Sequence, residues 1–294
     1  MANRTTRIAA IVGMVLGAAD VVVMGQATPG LLQQAYSQAW KNHRGVDYIA
    51  PSAAELAATR DLFARILRGE RGRAIDELAQ SAGWRVRSQA QESSDLVVVS
   101  EATDALRGRG LYAFFSQGRH ALQAPHVPTD GLTGEILLKY AQDRLPRALA
   151  WNTVPRSRGD LAHLLNTDYI EFSRAFASAH PNEKIIQLHG FDVDQRKTAA
   201  GSSSGAIVSA THRNPSSELQ LAVRCLREQV ESKTRLYGED VRELGGTTNT
   251  VAKALRAGGY QNFIHLEAAL PLRERLLADA AQRRALFQCL GGRL

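Results

Sequence analysis

An apolar run of strand character at residues 184–188 ends abruptly in His189 and a glycine. Two other strand-like runs end in the same way: residues 121–126 finish in a histidine, and residues 262–267 finish in a glutamate. In an open α/β sheet, ligands and catalytic groups collect beyond the carboxyl ends of the strands. Three strands that finish in His or Glu therefore predict one shared site, and they require a sheet that brings these ends together.

Strands and helices alternate over most of the chain, which predicts an α/β fold whose mixed, largely parallel sheet is flanked by helices. We expect a helical N-terminal lead-in over residues 28–83 and one catalytic α/β domain over residues 84–294. Strands are predicted over residues 84–89, 96–101, 110–115, 121–126, 148–154, 184–188, 206–210 and 262–266. Helices are predicted over residues 30–42, 53–69, 74–82, 133–145, 168–179, 216–234, 249–257 and 272–290.

The N-terminus has the pattern of a secretory signal peptide. Arg4 and Arg7 precede a mainly apolar run at residues 8–23, and small residues follow up to Ala27. Asp20 inside this run argues against a retained membrane helix, because a charge near the bilayer centre is costly. We therefore expect a signal peptide over residues 1–27, a periplasmic or secreted protein and no stable membrane span after cleavage. The alternative is an N-terminal strand or helix of a cytosolic fold.

Charge and cysteine content limit the classes of partner and site. The net charge is +7, but no basic block with interleaved aromatic residues occurs, so we expect no nucleic-acid partner. The two cysteines, Cys225 and Cys289, have neither metal-site nor CxxC spacing. In an oxidising compartment they would pair and tie a central helix to the C-terminal helix. Two unrelated buried thiols are the alternative.

The first candidate metal ligands are His126 and Asp130. Pro125 and Pro128 stiffen their loop, which limits the entropy lost when both side chains turn to one point. Imidazole and carboxylate are a common zinc pair, and one further ligand would leave a position open for water. A histidine and an aspartate four residues apart are also common by chance.

His189 supplies the third candidate ligand. Its strand places it at the sheet edge, and Gly190 lets the backbone turn without an obstructing side chain. The alternative is a histidine that is satisfied by neighbouring backbone groups.

Glu267 is the candidate general base. By strand alternation, His265 and Glu267 face one side of the sheet. A glutamate at the end of an apolar strand is costly to bury unless it is paired or used. In a metal hydrolase it would take a proton from water and deliver it to the leaving amine. The competing role is a salt bridge to Arg273 or Arg275, and His265 would be a supporting partner of the site.

The order of these motifs resembles the zinc carboxypeptidase-like amidohydrolases over residues 110–280. The motifs are His126-x-x-x-Asp130, then His189-Gly190, then Glu267 with an arginine six residues later. The sequence is most similar to the poly-γ-glutamate hydrolases and more loosely similar to the N-formylglutamate amidohydrolases. The resemblance implies a zinc-exopeptidase-like fold with one zinc per chain. It also implies His126, Asp130 and His189 as ligands and Glu267 as base. The chain departs from the carboxypeptidases at one place: they have His-x-x-Glu, whereas here the gap after the histidine is longer and the acid is Asp130.

A second group of residues has the positions of substrate contacts. Arg156 ends a predicted strand and would bind a substrate carboxylate or polarise the scissile carbonyl, which makes it a candidate catalytic residue. Asp160 and His163 would share a face if their segment were helical, either as support for the metal or as an alternative ligand pair. Arg213 is a further candidate in a strand-to-helix loop, whereas Asn249 is expected to be a helix N-cap.

Together these residues predict an exported zinc-dependent hydrolase of an amide bond in a peptide or acylated amino acid, and the family resemblance implies that a γ-glutamyl compound is a further substrate class. One rival is a metal-dependent phosphoesterase, which would need a second metal and more carboxylates. Another rival is a non-catalytic exported protein that binds an anionic polymer through its basic surface. A serine hydrolase is disfavoured, because the Gly-x-Ser-x-Gly pattern at residues 201–205 precedes a strand instead of following one.

Overall fold

The computed structural model describes residues 30–42, 45–89, 95–102, 104, 106–143 and 146–291. The expected signal peptide, residues 1–27, lies outside these described residues. Within them the chain is α/β, with one nine-stranded mixed sheet and helices on both faces, as the alternation predicted. In this part of the chain, no helix is both long enough and apolar enough to cross a membrane.

The helices and strands begin close to the predicted residues. The strands are β1 (Trp84–Gln89), β2 (Leu96–Glu101), β3 (Leu111–Phe115), β4 (Arg119–Ala124), β5 (Pro146–Trp151), β6 (Ile185–Phe191), β7 (Ala206–Ser209), β8 (Thr234–Leu236) and β9 (Phe263–Ala269). The helices are α1 (Leu31–Asn42), α2 (Ala53–Leu67), α3 (Arg73–Ser81), α4 (Thr133–Gln142), α5 (Asp168–Ala179), α6 (Ala199–Ser202), α7 (Ser217–Gln229), α8 (Thr250–Ala257), α9 (Leu270–Ala278) and α10 (Ala280–Gly291).

The sheet has a parallel centre and antiparallel sides. Its strand order is β1-β2-β3-β5-β4-β6-β9-β7-β8. Strands β5, β4, β6 and β9 run parallel, while β1, β2 and β3 form an antiparallel ribbon beside β5, and β7 is antiparallel to β9. Only half of the strand contacts in the described residues are parallel, so the sheet is less parallel than predicted. Its centre still brings the carboxyl ends of four strands to one edge.

Each face of the sheet packs on its own hydrophobic core. Helices α1, α4, α7, α9 and α10 contribute to the first core, and α2, α3, α5 and α8 contribute to the second. In β6, Ile186 and Leu188 belong to the first core and Ile185 to the second. Alternation therefore places Gln187 and His189 on the second face, where polar side chains replace apolar ones towards the end of the strand.

Side-chain caps mark several helix starts, and the cap predicted at Asn249 is confirmed. Ser52 and Glu55 form a capping box at the start of α2, in which the Glu55 amide donates to the Ser52 hydroxyl and the Ser52 amide donates to the Glu55 carboxylate. Ser216 caps α7 and Asn249 caps α8 through their side-chain oxygens. Local sequence thus fixes these helix starts independently of the tertiary fold.

Two predicted helices are wrong in part, one at its end and one in its interior. The helix predicted over residues 216–234 stops at Gln229, and the chain then forms the short strand β8 beside β7. The predicted closing helix is two helices, because Asp279 adopts an extended conformation and its carboxylate accepts the Ala281 amide hydrogen at 2.7 Å. In both places a local turn or cap outweighs continuous helical periodicity.

The cysteines pair. Cys225 of α7 and Cys289 of α10 form a disulfide with their Cα atoms 5.5 Å apart. Of the two alternatives from the sequence, the cross-link between a central helix and the C-terminal helix is the one that the structure contains.

Candidate metal centre

The candidate ligands lie at the carboxyl ends of two adjacent parallel strands. His126 and Asp130 are in the turn between β4 and α4, and His189 is in β6. The turn is closed by the Asp130 amide, which donates to the His126 carbonyl at 2.9 Å, and by the Thr133 hydroxyl, which donates to the Asp130 carbonyl at 2.8 Å. Because β4 and β6 are paired in parallel, this turn lies beside the end of β6.

The three side chains place a triangle of potential ligand atoms in a buried position. The Nδ1 atoms of His126 and His189 are 3.0 Å apart. Asp130 Oδ2 lies 3.3 Å from the first of these nitrogens and 3.5 Å from the second. Ligand atoms about 2.0–2.1 Å from a tetrahedral ion are about 3.3 Å from one another, so the spacing of the triangle fits. These three residues could therefore bind a metal ion.

Asp160 fixes which nitrogen of His126 carries the proton. Its Oδ1 lies 2.9 Å from His126 Nε2. Burial opposes ionisation of Asp160, but hydrogen bonds from His126 and His163 outweigh it and hold the pKa of the carboxyl well below its usual range. Since an ionised carboxylate only accepts, His126 Nε2 donates, and its Nδ1 lone pair points into the triangle. This is the carboxylate–histidine arrangement that orients metal ligands.

The protonation of the three ligands suits a cation. Burial opposes ionisation of Asp130, but its interactions with the His126 and His189 rings keep the pKa of this carboxyl well below its usual range. Burial, together with nearby His265, lowers the pKa of His189 to about 4. Burial also opposes protonation of His126, yet hydrogen bonds to Asp130 and Asp160 raise its pKa. A second proton on His126 would be on Nδ1, so it would occupy the same space as a metal ion.

Glu267 lies beside this triangle with one oxygen unused. Strand β9 pairs with β6 in a register that sets Glu267 opposite His189, so both side chains leave the same face of the sheet. His265 Nε2 lies 3.2 Å from Glu267 Oε1, and the His265 and His189 rings are 4.3 Å apart. The other oxygen, Oε2, is buried and has no hydrogen-bond partner among the described residues. Such an atom is costly unless something else contacts it.

The triangle and Glu267 open into a cleft of about 560 Å³. Its walls include Phe191 at the end of β6, residues 192, 195 and 196 just after it, and the loop 244–249 before α8. Three guanidinium groups also line it, those of Arg156, Arg196 and Arg273. The cleft therefore combines a potential metal site, a carboxylate and positive charge.

Arg273 is the buried cation of the cleft. It is 7% exposed, donates through Nη1 to the Gly131 carbonyl, and its Nε has no partner among the described residues. Its guanidinium lies against Gly190, where any side chain would collide with it. Of the two arginines considered as salt-bridge partners of Glu267, Arg275 pairs with Glu231 instead.

The other predicted site residues differ in position. The Arg156 Nε donates to Asp160 Oδ2 at 2.9 Å at the mouth of the cleft. His163 is not in a helix, but it contacts Asp160 Oδ1 at 2.9 Å and Thr248 Oγ1 at 3.1 Å. Arg213 is exposed, its backbone lies against Gly238, and it is absent from the part of the cleft lining that the structure describes.

Two buried glutamines beside the candidate ligands were not predicted from the sequence. Gln187 and Gln123 are fully buried on the second face, and Gln187 Oε1 lies 2.9 Å from His189 Nε2. The available signal was the period of two: in β6, Gln187 and His189 occupy alternate positions of an otherwise apolar strand. A buried glutamine needs partners, so this pattern pointed to a polar network beside the ligands.

No protein-family model and no curated protein matches the chain. Among solved structures, the crystal structure of gene product Atu2144 from Agrobacterium tumefaciens is similar over 59% of this chain and 88% of that one, with 11% sequence identity and a TM-score of 0.37. A likeness at this level carries no argument about fold or activity.

Proposed function

We propose that the protein is a zinc-dependent hydrolase of an amide bond, with one zinc per chain held by His126, Asp130 and His189. The observation that carries this proposal is the triangle of two imidazole nitrogens and one carboxylate oxygen beside Glu267, whose Oε2 is buried without a partner. Two imidazoles and a carboxylate with an open side are typical of catalytic zinc sites. Zinc bound there would polarise a carbonyl group and lower the pKa of water.

Glu267 is the proposed general base. Its Oε2 would take a proton from the attacking water and pass that proton to the leaving amine. His265 holds Oε1 at 3.2 Å and so fixes the carboxylate orientation that leaves Oε2 free. The strand register beside His189 supports this role, because it places base and ligand in one cleft.

The guanidinium groups of the cleft suit a substrate that carries negative charge. Arg273, with its unpartnered Nε, would stabilise the oxyanion that forms at the carbonyl. Arg156, which is anchored by Asp160 and half exposed, would bind a substrate carboxylate. A peptide, a γ-glutamyl compound or an acylated amino acid has both groups. Export through the signal expected at residues 1–27 belongs to the same proposal.

A phosphoesterase with two metals is less well supported. A second cluster exists at His126, Asp160 and His163, but it uses the other nitrogen of His126. There Asp160 already receives hydrogen bonds from His126, His163 and Arg156, so its charge is compensated without an ion. In the first cluster, by contrast, the nitrogens of His126 and His189 face each other at 3.0 Å.

The test is hydrolysis of a panel of γ-glutamyl peptides and N-acyl amino acids by zinc-loaded protein, with metal content measured on the same sample. Replacing the base by Glu267→Gln is expected to lower turnover by about 10²–10⁴-fold while zinc remains bound. Glu274→Gln is the matched control, because Glu274 is exposed on α9. Turnover by Glu267→Gln equal to that of the control would remove Glu267 from the mechanism. Zinc binding without turnover of any substrate would favour the anionic-polymer binding protein.

A further inference from the structure

A chain of buried hydrogen bonds passes behind the candidate metal centre. It runs from the N-cap of α8 to α5 through side chains that are all at most 1% exposed, namely Asn249, Gln187, Gln123 and Ser173. Gln187 is the branch point, because its Oε1 also contacts His189 Nε2 at 2.9 Å. The direction of this chain decides which nitrogen of His189 carries the hydrogen.

The first end of the chain is fixed by a backbone donor. The Ala252 amide donates to Asn249 Oδ1 at 3.0 Å, so Oδ1 must point into the helix. The Asn249 amide nitrogen, Nδ2, then points the other way and donates to Gln187 Oε1. This orients Gln187 with its oxygen towards His189.

The second end is fixed independently by a backbone acceptor. The Ser173 hydroxyl donates to the Tyr169 carbonyl at 2.8 Å, so it accepts from Gln123 Nε2 at 2.8 Å. Gln123 Oε1 therefore accepts from Gln187 Nε2 at 2.9 Å, which again turns Gln187 Oε1 towards His189. Both ends give the same orientation of Gln187.

An amide oxygen only accepts, so His189 Nε2 donates its hydrogen to Gln187 and Nδ1 is left with a lone pair. We infer that Asn249, Gln187 and Gln123 are positioning residues that hold His189 in the Nε2–H tautomer and so present its Nδ1 as a metal ligand. Asn249 therefore has two roles, as the cap of α8 and as the start of this chain. The inference rests on the metal site of the proposed function.

Two variants with the same chemical change separate this role from a purely structural one. Asn249→Asp keeps the cap, and the Ala252 amide favours its ionised form. The second carboxylate oxygen of this variant cannot donate, so Gln187 must turn its Nε2 towards that oxygen. The same Nε2 then faces His189 and donates to it. His189 Nε2 must therefore accept, and its proton moves to Nδ1. Asn214→Asp is the matched control, because it makes the same change at an exposed position outside the described lining of the cleft.

The experiment is Co²⁺ titration of metal-free wild type and both folded variants by absorbance at pH 7.5. Asn249→Asp is expected to weaken affinity about 10–100-fold, as for other partners of metal-ligating histidines, whereas Asn214→Asp should leave it unchanged. Equal affinity of Asn249→Asp and wild type would overturn the inference while leaving the metal site intact. Failure of wild type to take up Co²⁺ would instead count against the proposed function.

A second measurement needs no variant. Long-range ¹H–¹⁵N correlation spectra of the metal-free wild type report the tautomer of His189 directly. The inference predicts a proton on Nε2 and an unprotonated Nδ1. A proton on Nδ1, or an even mixture of tautomers, would overturn it, whether or not an Asn249 variant folds.

Discussion

Two buried polar clusters on the second face of the sheet differ in whether their polar atoms have hydrogen-bond partners. We call the one around Arg109 and Asp168 the satisfied cluster, and the one around His189 and Glu267 the unsatisfied cluster. In the first, Arg109 Nε and Nη2 bind both oxygens of Asp168 at 2.7 and 2.8 Å. Its remaining donor, Nη1, binds the Ala82 carbonyl at 2.7 Å, and Nη2 also contacts Thr59. In the second, the nitrogens of His126 and His189 face each other, and Glu267 Oε2 has no partner in the described residues.

The contrast indicates what each cluster is for. A buried charge whose donors and acceptors are all paired serves the folded state, whereas buried polar atoms left unpaired by the protein call for an explanation outside it. Arg109 and Asp168 need nothing more. In the cluster around His189, three side chains could bind a metal ion, and Glu267 Oε2 has no partner among the described residues. This difference leads to three predictions.

The largest effect is expected in the satisfied cluster. Arg109→Met would leave the fully buried Asp168 carboxylate without its partner. We expect the free energy of unfolding to fall by about 3–5 kcal/mol, measured by urea denaturation. Metal uptake by the folded fraction should be unchanged, because Arg109 does not contribute to the described lining of the cleft.

The double variant Arg109→Met/Asp168→Leu is the control for that prediction. Removing both charges should recover most of the lost stability, since well-packed apolar residues can replace a buried ion pair at little cost. A single variant that loses less than about 1 kcal/mol, or a double variant no more stable than the single one, would contradict a purely structural role.

A smaller effect is expected from Asp160. Asp160→Asn removes the negative charge of the carboxylate whose Oδ1 lies 2.9 Å from His126 Nε2 and fixes the tautomer of His126. Zn²⁺ affinity should therefore fall about 10–100-fold in a competition titration. Arg156→Gln is the comparison variant, because it leaves the contact between Asp160 and His126 in place. Should both variants bind Zn²⁺ as tightly as wild type, Asp160 would not orient His126.

The smallest effect is a pH dependence that only the unsatisfied cluster should show. Hydrogen bonds to Asp130 and Asp160 overcome the effect of burial and raise the pKa of His126, so its proton competes with the metal. Below that pKa, affinity should fall about tenfold per pH unit, because one proton must leave for each ion bound. Zn²⁺ titrations between pH 5 and 8 measure this slope. Affinity that is constant over this range would show that no histidine proton is displaced.

Much of the architecture was predictable from local pattern. The apolar run that ends at His189 identified both the strand and its polar end, and Asn249 identified a helix start. Sheet order was not predictable, since the ribbon of β1 to β3 attaches to β5 through contacts between distant residues. The short strand β8 was also missed, because three residues have too little periodicity to separate from the end of a helix.

The site was predicted in part. His126, Asp130 and His189 do lie together, and the spacing of histidines at strand ends was the signal. The buried position of Arg273 and the network through Gln187 depend on which strands become neighbours, and that information is tertiary. Arg213, chosen for its place in a strand-to-helix loop, is exposed because β7 runs antiparallel to β9 and its end points away from the shared edge.

The most direct test of the central claim is metal content by mass spectrometry on wild type and two histidine variants purified without chelator. The account predicts about one zinc per chain in wild type, none in His189→Ala, and full occupancy in His212→Ala, whose histidine is outside the described cleft lining. A wild type that contains no metal and takes up none on addition of zinc would contradict the account. So would His189→Ala protein that retains its full complement of zinc.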